Sequence, residues 1–283
     1  MKTREPLCGP VLHGTLVAPC ADTVAAAYAG CFGFRTIADA RIGAAQAAAW
    51  GLPDVAGLRM LCMSTASGAA AWLRVIELPD CLPPAPLKRH GWIALEVNVR
   101  DVDRLAMRLE LPGSPFRIIG KPAFLEFSDQ IRAMQVIGPA GEVLYLTEVR
   151  APVPPFALPL DPVDPVDRLF IPVLSVPRLG EAAAAYEALA GGAALRVETR
   201  ITVLNAAFGR PADSRYPIGV LQLAGQTLIE IDEVAQAEAA PLNPCGLPSG
   251  IAMVGLAVSD GQAPRMLRGT AGEWTELLPG PGR

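Results

Sequence analysis

The feature that most constrains this chain is an internal repeat. "VLHGTLVAP" reads as a strand, "ADTVAAAYAGCFGF" as a helix stopped at Gly33, and "FRTIADARI", "GLRMLCMST" and "AWLRVIEL" as three further strands. The order starts again after the proline-rich "LPDCLPPAPLK". There "GWIALEVNV" is a strand, "DVDRLAMRLEL" a short helix, and "FRIIGKPAFLEF", "RAMQVIG" and "EVLYLTEV" are strands. A third pass runs from "LFIPVLSV" through the helix "LGEAAAAYEALAG" to "TLIEIDEV". A fourth begins at "SGIAMVGLAVSD", ends at "EWTELLPG", and is too short for a helix and three strands. Three copies of about 60–75 residues and a truncated fourth predict an α+β fold of tandem βαβββ modules. One copy cannot bury its sheet alone, so copies one and two are expected to pair within the chain.

The segment 151–167, "APVPPFALPLDPVDPVD", holds six prolines and reads as a semi-extended connector. It divides the chain into 1–150, expected to carry the paired modules and the site, and 168–283, a degenerate module plus a truncated one. The second half reads as structural, serving packing or a homodimer that covers its sheet edges. The chain is 51% hydrophobic and 18% charged with net charge −4, which offers no basic surface for nucleic acid. No apolar run is long enough for a membrane span, and none follows the charged "MKTREPLCGP" as in a signal peptide, so the expectation is cytoplasmic. The six cysteines form no C-x-x-C pair and read as small buried apolar residues.

Strand alternation groups the candidate residues. His13, Thr15 and Val17 share one face, as do Leu73, Val75 and Glu77, and Leu144, Leu146 and Glu148. His90, Trp92, Ala94 and Glu96 line up likewise. A carboxylate ending an apolar strand face needs a partner or a metal. Alone, His13 is a strand-start histidine and each Glu a solvated strand end. Their matched positions in two copies favour a site. Glu96 reads as a general base or as the partner of Arg132, and Trp92 as a core aromatic or a platform for a flat substrate. The insertion "AAAWGLP" reads as a short helix over the site, with Trp50 pointing into the pocket or the core.

The repeat resembles the vicinal oxygen chelate superfamily, which includes glyoxalase I, extradiol dioxygenases and bleomycin-resistance proteins. His13 heads strand one, Tyr28 follows fifteen residues later, and Phe32-Gly33-Phe34 stands at that family's Leu-Gly-Phe. "GPAGEVLYLTE" is similar to its Asp-Pro-x-Gly turn and closing strand. The resemblance implies cup-shaped mixed sheets, helices on their convex face, and two metal-ligand positions per copy. Carried over, these are His13 and Glu77, then Trp92 and Glu148. The third copy offers Ile171 and Glu233, and the fourth Ile251. His13, Glu77 and Glu148 would hold a divalent zinc, manganese or iron(II), although Trp92 is no ligand. The implied activity is a metal-dependent lyase or isomerase that stabilises an enolate or oxyanion of a small, largely apolar, oxygenated substrate, aromatic ones included. Glu77, Glu148, Glu96 and His90 would be catalytic, with Trp92, Trp50 and Thr15 on the substrate. The alternatives are a metal-free protein that binds or sequesters a small molecule, and a ring-cleaving dioxygenase that recruits His90.

Overall fold

The computed structural model describes residues 6–259 and 263–280. The first residues of the charged N-terminus and Asp260, read above as the end of a strand, lie outside them. Module one comprises β1 (Cys8–Ala18), α1 (Ala21–Phe32), β2 (Arg35–Arg41), the inserted α2 (Ala44–Trp50), β3 (Arg59–Ser64) and β4 (Leu73–Glu77). Module two comprises β5 (Gly91–Val99), α3 (Val102–Leu109), β6 (Arg117–Leu125), β7 (Ser128–Ile137) and β8 (Val143–Val149). Module three comprises β9 (Val166–Val176), α4 (Leu179–Ala190), β10 (Leu195–Arg200), a short α5 (Thr202–Ala207), β11 (Arg215–Gln222) and β12 (Leu228–Glu233). Module four keeps β13 (Gly250–Val258), β14 (Arg265–Arg268) and β15 (Trp274–Pro279). Helix α1 stops at Gly33, whose φ of 77° closes the turn. Among the described residues no helix is long and apolar enough to cross a membrane.

The modules form two curled mixed sheets, and their pairing differs from the expected one. The seven-stranded sheet runs β14-β15-β13-β1-β4-β3-β2, joining modules one and four. The eight-stranded sheet runs β10-β11-β12-β9-β5-β8-β7-β6, joining modules two and three. Modules one and two therefore do not pair with each other. The reason lies in the opening strands. Each pairs on one side with the fourth strand of its own module and bares its other edge. The proline-rich segment, read as a spacer, folds back on module two: Asn98 Nδ2 donates to the Pro159 carbonyl at 3.1 Å and the Arg100 N–H to that of Pro165 at 3.1 Å. Leu158 is buried there with Phe170 and Ile171. This lays β9 antiparallel beside β5, and β1 is left for β13. Strands β9 and β13 are thus interior strands of the two sheets.

The convex faces of the two sheets meet in one core, into which α1, α3 and α4 also pack. A side chain at Gly14 would meet the Leu95 methyl at 2.5 Å, so glycine there lets the sheets touch. Repeated polar ties fix the arrangement. The Tyr28 hydroxyl donates to Glu142 at 2.9 Å, and that of Tyr186 to Glu273 at 3.0 Å. Both carboxylates sit in matching Gly-x-x-Gly-Glu turns, accepting the N–H of Ala140 and of Ala271. The concave faces point away from this core: cup one in the seven-stranded sheet, cup two in the eight-stranded one.

Candidate functional site

The matched glutamates prove to be helix caps. Because β4 runs parallel to β1 with Glu77 opposite Ala18, the carboxylate arrives where α1 begins. Its Oε2 accepts the N–H of Ala21 at 3.0 Å. Glu148 does the same for Val102 at 3.1 Å, and Glu233 for Leu179 at 2.8 Å. The residues preceding α1 and α4, Cys20 and Arg178, supply no side-chain cap, so the strand-end carboxylate satisfies the free amide. Arg59 and Arg150 further pair with Glu77 and Glu148. Leu73, Val75, Leu144 and Leu146 belong to the core between the sheets, so these carboxylates lie on the helix side. His13 lies on the cup side. The structure does not bring His13, Glu77 and Glu148 together, and among the described residues no three His, Cys, Asp or Glu side chains are placed to hold a metal ion.

Cup one is closed by its own residues. Helix α2 caps it, and Trp50 is buried with Val17, Ile76, Leu247 and Met253. Register sets His13 opposite Gly255, which lies opposite Glu276. A side chain at Gly255 would run into the imidazole. His13 Nε2 donates to Glu276 Oε2 at 2.7 Å, and its Nδ1 accepts from the Thr15 hydroxyl at 3.2 Å. Arg74 Nη1 reaches the same Oε2 at 2.8 Å, while Trp50 Nε1 donates to Oε1 at 2.7 Å. Burial, with Arg74 alongside, lowers the His13 pKa, which keeps the imidazole neutral at pH 7. Burial opposes ionisation of Glu276, but the donors from His13 and Trp50 and the Arg74 charge outweigh it and bring its pKa to about 2.

Cup two is open. A cavity of about 220 Å³ has Glu96, Tyr145 and Glu230 at its floor and Ala133, Ile218 and Val203 in its walls. The strand order β8-β5-β9-β12 gathers these residues. Glu96, 7% exposed, accepts from the Thr147 hydroxyl at 2.7 Å. Burial, reinforced by the Glu230 charge, pushes its pKa up to about 8. Glu230 is half-buried and opens onto the cavity, and burial raises its pKa to about 7. Asp232, two residues on and fully buried, meets no hydrogen-bond donor with either oxygen among the described residues. Burial, then the charge and hydrogen bonding of Glu230 and the charge of Glu96, raise its pKa well above the ordinary aspartate value. The Tyr145 hydroxyl is also buried and without a partner among the described residues.

The remaining expected residues fall elsewhere. Trp92 faces the core between the sheets, edge-on to Tyr186 at 6.0 Å, with Nε1 donating to the Trp274 carbonyl at 2.9 Å. The β5–β9 register shifts between Trp92 and Ala94, and this bulge turns Trp92 away from the face of Glu96. His90 stands before β5, its N–H on the Glu238 carbonyl and its ring 3.5 Å from Ser175. Arg132 pairs with Asp103 at 2.8 Å, not with Glu96. Thr15 orients His13, and Trp50 fills cup one. The sequence reading missed Glu230, Asp232 and Tyr145, although "TLIEIDEV" and "EVLYLTEV" alternate them with core residues. It also missed Arg74 and Glu276, the latter in the module set aside as truncated.

No protein-family profile and no curated protein sequence matches the chain. Solved structures do. Glyoxalase I from Zea mays is 13% identical with a TM-score of 0.58, over 95% of this chain and 92% of that one. A candidate dioxygenase from Bacillus subtilis is 12% identical with a TM-score of 0.62, over 99% of this chain and 87% of that one. The chain has the fold of the glyoxalase, dioxygenase and vicinal oxygen chelate superfamily, and at these identities the likeness is one of fold. A divalent metal accords with that fold in general, but the donors of neither cup fit one. In cup one both oxygens of Glu276 are engaged, and the Arg74 guanidinium puts a positive charge where a cation would have to sit. Cup two offers carboxylates without imidazole or thiolate, and among the described residues they do not form a group placed to hold a metal ion.

Proposed function

We propose that this protein binds a small, largely apolar molecule in cup two without a metal, as a binding or sequestration protein. One observation carries the reading: the buried Tyr145 hydroxyl, without a hydrogen-bond partner among the described residues, lines a cavity beside Glu96 and Glu230, while the equivalent space in cup one is filled. Burying an unsatisfied hydroxyl costs roughly 1–3 kcal/mol, and a ligand that pairs it recovers that cost. The cavity exceeds the ~150 Å³ that suffices for benzene in an engineered core. Benzyl alcohol, titrated and followed through the methyl resonances of Ala133 and Ile218, tests this. Saturable shifts at both methyls are expected, retained in Trp50→Phe, and the Ile218 shift should be lost in Ala133→Trp, which fills cup two. Shifts that persist in Ala133→Trp, or that centre on Met253 in cup one, overturn the reading.

A second reading rests on acidity. Glu96 near pKa 8 and Glu230 near 7 straddle neutrality within one cavity, as suits proton transfer by a lyase or isomerase. Glu230, the more readily ionised of the two, would take the proton, the protonated Glu96 would give one back, and the Tyr145 hydroxyl would face the developing oxyanion. The metal-stabilised version, and ring cleavage through His90, find no donor set in either cup among the described residues.

A further inference from the structure

We propose that the ligand of cup two is a lipophilic ammonium ion, its head among Glu96, Glu230 and Tyr145 and its apolar tail in the groove beyond. This rests on cup two being the binding site and adds the ligand's class.

Among the described residues the floor holds carboxyl groups and no cation. Glu96 and Glu230 present four carboxyl oxygens to the cavity, Asp232 is buried beside Glu230, and among the described residues Thr147 is the hydrogen-bond donor to Glu96. Tyr145 adds a hydroxyl without a partner. Burial raises all three acids, the Glu230 charge adds to this at Glu96 and Asp232, and no cationic side chain contributes to holding them ionised. Lys121 and Arg200 stand at the mouth. Arg210 lies over the Tyr216 ring at 5.1 Å, and Arg215 pairs with Glu126. An ammonium ion brings the missing charge and up to three N–H donors. An alcohol brings one donor and no charge.

The tail follows from the shape. Phe127, Thr199 and Ile218 border both the cavity and an apolar groove of about 380 Å³ formed by Val153, Phe156, Leu195, Val197 and Val220. Phe127 is 60% exposed and Leu195 44%, so the groove is an uncovered apolar surface continuous with the acidic floor. An occupant must be apolar at one end and cationic at the other.

The probes are 4-phenylbutylamine and its neutral counterpart 4-phenylbutanol, titrated by calorimetry between pH 6 and 8.5. An alkylammonium, like that of lysine with pKa about 10.4, stays charged throughout. Binding it requires the carboxylates to release protons. Its affinity should therefore climb with pH, by up to about tenfold per unit for each proton displaced, and exceed that of the alcohol about tenfold at pH 8. Glu230→Gln should weaken both the pH dependence and the preference for the amine, and Glu96→Gln with Glu230→Gln should remove them. Should those variants not fold, the pH series on the unaltered protein decides alone. An alcohol that binds as tightly as the amine at pH 8, or an amine affinity that falls with rising pH, overturns the ammonium assignment and leaves cup two as the site. Failure of both probes and of benzyl alcohol to shift Ala133 overturns both.

Discussion

Replacing Glu96 by Gln should stabilise the protein, and by an amount that depends on pH in a defined way. The Glu96 pKa stands at about 8 in the folded chain against 4.5 for the free side chain. A raised carboxylate pKa means that the folded state binds the proton more tightly than the unfolded one. Stability then falls as pH rises through this interval. At pH 7 the folded protein retains a proton that the unfolded chain has released, at about 1.4 kcal/mol per pH unit above 4.5, or ~3 kcal/mol in all. Glutamine has nearly the same shape, keeps an acceptor for the Thr147 hydroxyl and does not titrate. Urea unfolding followed by tryptophan fluorescence should give nearly coincident curves for the two proteins at pH 4.5. The variant should gain up to ~3 kcal/mol at pH 7 and level off above pH 8. An offset independent of pH, or a variant less stable at pH 8, would refute the picture of Glu96 as an uncompensated buried acid.

Glu77→Ala, Glu148→Ala and Glu233→Ala should each cost about 1 kcal/mol and speed amide exchange at Ala21, Val102 and Leu179, as expected of lost helix caps; unchanged exchange would count against that role. Glu276 titrates in the opposite sense to Glu96: its folded pKa of about 2 contributes stability present above about 4.5 and lost as pH falls through 2. Acid titration of Glu276→Gln should lack that loss, worth ~3 kcal/mol in the parent. A fragment ending at residue 150 should not fold as a monomer, because β1 and β5 lose β13 and β9; a cooperative melt by circular dichroism would contradict the nested pairing.

The repeat, the order of elements in each module and the α+β class were legible because hydrophobic periodicity and turn residues are local signals. Pairing was not legible. Each opening strand carries the same apolar pattern whichever module it joins, and the choice is made by a proline-rich segment whose composition suggests a spacer. The candidate site failed for a related reason. A period of two says that Leu73, Val75 and Glu77 share a face, but both faces of these strands are buried, so nothing in "AWLRVIEL" tells which one is the cup. The recurrence of Glu77, Glu148 and Glu233 was real, and its cause is the amide at the start of each module's helix. Trp92 shows a third limit. One bulge residue between β5 and β9 reverses its side, and bulges leave little trace in a strand rich in β-formers.

The two cups descend from one module plan and differ in how they treat buried charge. In cup one a single carboxylate, Glu276, meets a guanidinium, an indole N–H and an imidazole, so every acceptor is satisfied and the charge is balanced within the chain. The inserted α2 then covers the site with Trp50, and no demand remains for anything from outside. In cup two three acids face one another with a hydroxyl from Thr147 as donor, and the chain lowers the cost by keeping protons on them. Such a cluster is a poor way to stabilise a core, since apolar residues of the same volume would serve better. It makes sense when the compensating donors arrive with a ligand. The proposed binding site is accordingly the cup whose electrostatics the chain leaves incomplete, and not the one around His13, whose partners are in place.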